Sequence, residues 1–335
     1  MKEAMLYEKL DDNQVRCHLC GHYCVIPEGN FGVCQVRQNV DGTLYTLVYG
    51  SAISQNVDPI EKKPLYHFYP GSGSFSVATL GCNFQCKWCQ NWEIAQMPRD
   101  RGLIRVPHTS PQELVDKALS SNCKSIAYTY TEPTIFFEYA YDTARLAHQA
   151  GIANVYVTNG YMTTEMLDAF HPYLDAANVD LKAFCKQTYH RYVSAGLQPV
   201  LDALVKMKEL GIWVEVTTLV VPGINDEPAE LLDAATFIFR ELGPDTPWHL
   251  SRFFPHYQLP NVPPTPVVTL RQAQEIGQEV GLRYVYMGNV REESNTYCYN
   301  CSELLIQRQG YWIAANKIAD GKCSNCGAQI AGVWG

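Results

Sequence analysis

No apolar run in this 335-residue chain is long enough to cross a bilayer; the best, "IWVEVTTLVVPG", is broken by Glu215 and Pro222. The opening stretch, "MKEAMLYEKLDDNQVRC", has no apolar segment of the signal-peptide kind, so a soluble cytoplasmic protein without a membrane role is expected. Positive charge is in deficit. Against 34 Asp and Glu stand 26 Lys and Arg, a net charge of -8, which argues against binding nucleic acid by bulk electrostatics. No repeat of fixed period and no low-complexity tract interrupts the chain. With 47% hydrophobic and 18% charged residues, it has the material for one large domain with small appendages, or for two ordinary ones.

Cysteine, by contrast, is plentiful. The 13 cysteines fall into groups at 17, 20, 24 and 34, at 82, 86 and 89, and at 298, 301, 323 and 326. Disulfide-dense scaffolds are usually short and secreted, so a chain of this length and expected location points to metal or redox sites. Cys123 and Cys185 stand apart and read as packing residues.

From residue 74 the pattern becomes regular. The runs "SFSVATL", "SIAYTY", "NVYVTN", "ANVDLK", "IWVEVTTLVV" and "WHLSRFF" are short and rich in β-branched and aromatic residues, with "RYVYMGN" a candidate seventh. Helix-like stretches such as "SPQELVDKALSS" and "AELLDAATFIFREL" lie between them. Alternation of this kind predicts an α/β fold with parallel pairing by right-handed crossovers, in a barrel or a doubly wound sheet. Active residues then belong at the C-terminal ends of the strands. The Pro- and Gly-rich stretch "DPIEKKPLYHFYPGSG" before the first run reads as an irregular connector.

After the first run comes "GCNFQCKWCQNWEIAQ", which places Cys82, Cys86 and Cys89 in a C-x3-C-x2-C pattern. Grouped thiolates select zinc or iron-sulfur clusters, and a structural zinc site wants four ligands. Three thiolates on a four-iron cubane leave one iron open to a small chelator carrying an amine and a carboxylate. A zinc loop completed by a distant Asp or His is the competing reading.

This spacing, with Trp88 just before the last cysteine, resembles the cluster loop of the radical S-adenosylmethionine (SAM) superfamily. The resemblance implies a partial (β/α)6-type barrel, a [4Fe-4S] cluster that binds SAM, and reductive cleavage of SAM to a 5′-deoxyadenosyl radical that abstracts hydrogen from a substrate. It also implies an electron donor such as flavodoxin or ferredoxin. In "YTYTEP", Glu132 stands where related enzymes carry the acid of a Gly-Gly-Glu motif that accepts the SAM ammonium, with Tyr130 and Thr131 in place of the glycines. Thr158, Asn159 and Gly160 of "VTNG" suit the approach of a ribose or of the methionine moiety, although turn chemistry alone accounts for Asn-Gly. Asp180 and Lys182 lie two apart, hence on one strand face, and resemble the Asp-x-Lys pair of glycyl-radical activating enzymes. In "RFFPHY", either His256 or Tyr257 is expected near the ribose.

Longer stretches, "CHLCGHYCVIPEGNFGVCQVRQN", "DPIEKKPLYHF" and the cluster loop itself, resemble the radical SAM component of the AmmeMemoRadiSam system, a relative of pyruvate formate-lyase activating enzymes. Memo-type and AMMECR-type proteins are the partners that resemblance implies. Lys62, Lys63 and His67 of the connector either reach over the barrel mouth or, as preferred, fix the N-terminal region through solvated ion pairs.

Cys298-x2-Cys301 and Cys323-x2-Cys326, with 21 residues between them, one more than the usual zinc-ribbon window, read as a structural zinc ribbon, a small module whose folding is linked to its metal. Cys17, Cys20, Cys24 and Cys34 suit zinc or an auxiliary cluster, with zinc preferred. The expected division is a cysteine-rich region and connector over 1–72, the barrel over 73–291, and the ribbon-like module over 292–335. The expected function is hydrogen abstraction from a protein, as at a glycyl residue, or from a small molecule. The alternative is a non-catalytic metal-binding adaptor that docks partner proteins.

Overall fold

The computed structural model describes residues 1–334. Its centre is one eight-stranded sheet: β1 (Ser54–Pro59), β2 (Gly73–Ala78), β3 (Ser125–Tyr128), β4 (Ala153–Thr158), β5 (Ala176–Asp180), β6 (Trp213–Val220), β7 (Trp248–Arg252) and β8 (Val285–Gly288). Spatial order equals chain order from β1 to β8. All pairings from β2 onward are parallel, and only β1 runs antiparallel, against β2. Because right-handed crossovers between successive neighbours advance in one direction, their helices collect on one face, as in an opened barrel wall and unlike a doubly wound sheet. The two edge strands do not pair with each other.

The expected seventh run is β8. The connector was expected to be irregular, yet its first residues complete β1, whose Pro59 is tolerated because it ends an edge strand. Among the helices, α1 (Pro111–Ser120) starts on a capping box between Ser110 and Glu113 with Pro111 at its first position. The others that cross between strands are α2 (Phe137–Gln149), α3 (Thr164–Phe170), α4 (Gln198–Glu209), α5 (Pro228–Phe237) and α6 (Val267–Val280). They bury apolar faces such as Leu114, Val115 and Ala118 of α1 and Val200, Leu204 and Met207 of α4 in the main core. Cys123 is buried there, whereas Cys185 is only half-buried at the start of a short helical turn. No described helix is long and apolar enough to cross a membrane.

Residues before the main sheet form two small three-stranded antiparallel sheets. They dock on α2 through a fully buried ion pair, Arg37 with Glu138, and Glu138 also accepts the Met5 N–H at 2.9 Å. At the other end, the strands Thr296–Tyr297, Leu304–Gln309 and Trp312–Asn316 make an antiparallel sheet. That module shares a core with Tyr66 of the connector and with Tyr284 and Tyr286 of the β8 region. Buried Arg308 donates to the Tyr66 carbonyl at 2.8 Å.

Candidate functional site

One cavity of about 290 Å3 opens at the C-terminal ends of the parallel strands. Into it the fold brings Cys82, Cys86, Trp88 and Cys89 from the loop after β2, Glu132 after β3, Thr158 and Asn159 at the end of β4, and Asp180 and Lys182 at the end of β5. Residues more than 100 positions apart meet because a parallel sheet gathers every strand-to-helix loop at one edge.

Glu132 is buried, and four donors converge on its carboxylate. Thr134 N (3.0 Å), Thr134 Oγ1 (2.6 Å) and Thr158 Oγ1 (2.7 Å) give to Oε1, while Asn159 N (2.8 Å) gives to Oε2. All four are neutral. Burial pushes this carboxyl above its ordinary value, and the donated hydrogen bonds resist that rise. Oε1 is saturated, so Oε2 is the atom with room for a charged donor from a ligand.

Tyr130 occupies the place of a motif glycine, and its backbone takes the left-handed conformation that glycine would take at least cost, at φ 66°. The side chain holds it there. Its hydroxyl bonds to Asp58, the Lys63 ammonium sits 4.5 Å from its ring centre, and Asn91 Nδ2 donates to its carbonyl at 2.7 Å. Asp58 in turn accepts from Lys62 (2.8 Å), Lys63 (2.7 Å) and Ser76 (2.8 Å), which together hold its carboxyl well below the usual range despite its burial. Lys62 and Lys63 line the same cavity. Lys63 is buried, so its ion pair is not the solvated one expected, and its 1% exposure means burial pulls the ammonium down to about 8. His67 does not line the cavity: Nδ1–H donates to the Ala331 carbonyl at 2.8 Å, and Nε2 accepts from the Tyr286 hydroxyl at 2.7 Å.

Asp180 and Lys182 form an ion pair at 2.7 Å. At Gly160 a side chain is excluded twice over. The backbone is left-handed at φ 70°, and a Cβ would come within 2.8 Å of Val179 Cγ1. Asn159 donates to Asn83 Oδ1 at 2.8 Å, tying the end of β4 to the cysteine loop. Trp88 is buried against Tyr192, with rings 6.0 Å apart, and its indole N–H has no protein partner. His256 and Tyr257 do not line the cavity. Their loop folds over the outside of the cysteine loop: Gln258 N donates to the Lys87 carbonyl at 3.0 Å, and Tyr257 stacks on Trp92 at 5.1 Å. Asn225 braces strand ends, accepting from Val221 N at 2.6 Å and donating to the Lys182 carbonyl at 2.8 Å. The sequence pointed to Lys62 and Lys63 without placing them, and to Tyr130 only as a departure. Asn91, Ser251 and Asn289, also on the cavity wall, carry no motif that marks them.

The cavity suits a cluster with a small-molecule chelator. It is lined by three cysteines and by no histidine among the described residues, so the protein offers a cluster no fourth soft ligand there. Those three sulfurs are not all within 4.8 Å of one another, which is wider than a single ion requires. In the C-terminal set all four sulfurs do lie within 4.8 Å, with Cys298–Cys326 at 3.6 Å and Cys301–Cys323 at 3.7 Å, the spacing of thiolates around one tetrahedral ion.

Comparison with known proteins agrees with this geometry. The chain is 48% identical over 334 residues to the uncharacterized protein MJ0808 of Methanocaldococcus jannaschii, covering 98% of this chain and 99% of that protein. A protein of the same archaeon provisionally named a glycyl-radical enzyme activating enzyme, MJ1632, is 26% identical over 46% of this chain and 59% of its own length. The GTP 3′,8-cyclase of Aquifex aeolicus is 27% identical over 48% of this chain and 51% of its own. Among solved structures, a radical SAM methyltransferase from Sphaerobacter thermophilus shares the fold with a TM-score of 0.51 at 17% identity, over 66% of this chain and 67% of that one. Residues 76–235, which carry the end of β2, the cysteine loop and strands β3 to β6, match the radical SAM superfamily.

Proposed function

We propose that this chain is a radical SAM enzyme that abstracts hydrogen from a glycyl residue of a protein or from a carbon of a small molecule. The reading rests on three convergent thiolates without a fourth, facing a buried carboxylate whose donors are all neutral. When bound, the [4Fe-4S] cluster and SAM supply one-electron cleavage of the sulfonium bond and a carbon radical able to take hydrogen.

The protein's own part is positioning. Cys82, Cys86 and Cys89 would hold the cluster, and Glu132 Oε2 would accept a charge-assisted hydrogen bond from the SAM ammonium. Thr158 and Asn159 hold that carboxylate still, while the pairing of Lys182 with Asp180 sets a cation near the cluster end of the cavity without an uncompensated charge. Trp88 contributes an apolar wall and an unused N–H. Burial of these groups excludes water and oxygen from a radical. The C-terminal thiolates hold one zinc ion as structure. A non-catalytic adaptor has no use for a cavity so furnished.

The test is anaerobic reconstitution with iron and sulfide, a strong one-electron reductant and SAM. Release of 5′-deoxyadenosine and methionine is expected, and Cys86→Ala is expected to abolish it. Turnover that persists in Cys86→Ala would overturn the reading.

A further inference from the structure

We infer that the N-terminal cysteines, Cys17, Cys20, Cys24 and Cys34, hold a second four-iron four-sulfur cluster and not zinc. The four line one small cavity of about 20 Å3, whose other walls include Leu19, Ile26, Val33 and Ile135. Four thiolates arranged round a void are unlike four thiolates closed on an ion. Around one zinc, sulfurs about 2.3 Å from the metal stand about 3.8 Å from one another and leave no room for even a water between them.

The molecule carries its own standards. The C-terminal set meets the zinc criterion, with sulfur pairs at 3.6 and 3.7 Å. Among the described residues it is the only group of three or more such ligand atoms all within 4.8 Å of one another. The N-terminal set therefore lies on the wider side, together with Cys82, Cys86 and Cys89, the thiolates that the superfamily match assigns to a cluster. A cubane sets its thiolates wide, because an iron-to-iron separation lies between any two of its iron-sulfur bonds.

A second observation concerns charge. Arg37 lies on the wall of this cavity, fully buried, and its Nε and Nη1 have no partner while Nη2 is used by Glu138. Buried guanidinium donors left unmatched are costly, and an anionic metal–thiolate centre of either kind beside them satisfies that demand, so Arg37 marks the site as a metal site while the sulfur spacing selects the cluster. The site also abuts the first cluster's loop. His22 bonds to the Asn83 carbonyl at 2.8 Å, and a Cβ at Gly81 would come within 3.2 Å of the Cys34 carbonyl. The two cysteine sets thus come together at the short peptide Gly81–Asn83.

This does not depend on the reaction proposed above, and metal content reads it directly. Native protein reconstituted anaerobically is expected to hold about eight iron, about eight sulfide and about one zinc per chain, two cubanes and one ribbon ion. The Cys82→Ala, Cys86→Ala, Cys89→Ala variant is expected to keep about four iron and four sulfide, with an EPR signal on reduction. Adding Cys24→Ser to that variant, which swaps one ligand atom at the half-exposed position, is expected to shift the signal. About four iron and two zinc in the native protein, or a triple variant free of iron, would overturn the assignment. So would a Cys24→Ser spectrum identical to its parent.

Discussion

At Glu132 two demands meet that sequence motifs state only in part. Being acidic is the first; the second is being held, and Thr134, Thr158 and Asn159 supply that hold. A carboxylate so fixed offers Oε2 to a ligand cation without reorganising when the ligand arrives. Glu132→Gln keeps the shape and removes the charge, so SAM binding followed by calorimetry is expected to weaken by about 1.5 to 3 kcal/mol, the scale of a hydrogen bond to a charged group. Iron content should be unchanged. The two missing motif glycines at 130 and 131 carry a lesson at the same scale. Left-handed backbone at Tyr130 costs on the order of 1 to 2 kcal/mol, offset by its bond to Asp58 and the overlying Lys63. At Tyr130 the side chain stabilises a backbone conformation that glycine would adopt at less cost.

Among elements, the strand order decides where chemistry collects. Each strand pairs with its chain neighbour, so every loop at the C-terminal edge is adjacent to the next and the cavity walls follow in chain order. The N-terminal sheets are fastened to this frame at α2 by Arg37 and Glu138. Their pairing is fully buried, and removing one partner strands the other's charge in the interior. Glu138→Gln is expected to lower unfolding stability by about 3 to 5 kcal/mol in a denaturant titration, well beyond the loss of an exposed ion pair. Arg37 also faces the N-terminal cysteine cavity, so the same substitution is expected to disturb metal retention there first.

For the whole molecule, His67 joins three parts. It lies in the connector, accepts from Tyr286 of β8, and donates to Ala331 of the C-terminal module. Val333 adds backbone bonds to the His67 carbonyl and from Tyr69 N, at 2.7 and 2.8 Å. Burial, resisted by nearby Glu215, lowers the His67 imidazole to about 4. The fold therefore keeps it neutral, while the unfolded chain takes up a proton near pH 6.5. Its contribution is fully present above about pH 6.5 and is lost as the pH falls toward 4. Relative to His67→Gln, the wild type is expected to lose about 2 kcal/mol of its advantage between pH 7.5 and pH 5 in paired unfolding curves. A flat difference between the two proteins would mean that the fold does not keep His67 neutral.

The sequence by itself determined the α/β alternation, the cysteine loop after the first parallel strand and the C-terminal cysteine spacing, and it singled out Glu132, which the fold places on the cavity wall. Each of these is local: hydrophobic period, residue type and spacing are properties of a short stretch, and the chemistry of thiolates does not wait for the fold. Only the tertiary structure decided that Lys63 and Tyr130 share a buried network with Asp58, that His67 faces the C-terminal module, and that His256 and Tyr257 are not part of the cavity wall. It also separated two four-cysteine sets for both of which the sequence preferred zinc, one closed to an ion's dimensions and one open around a cavity. Pairings of this kind are set by which distant surfaces come to lie against each other, and spacing along a chain carries no record of that distance.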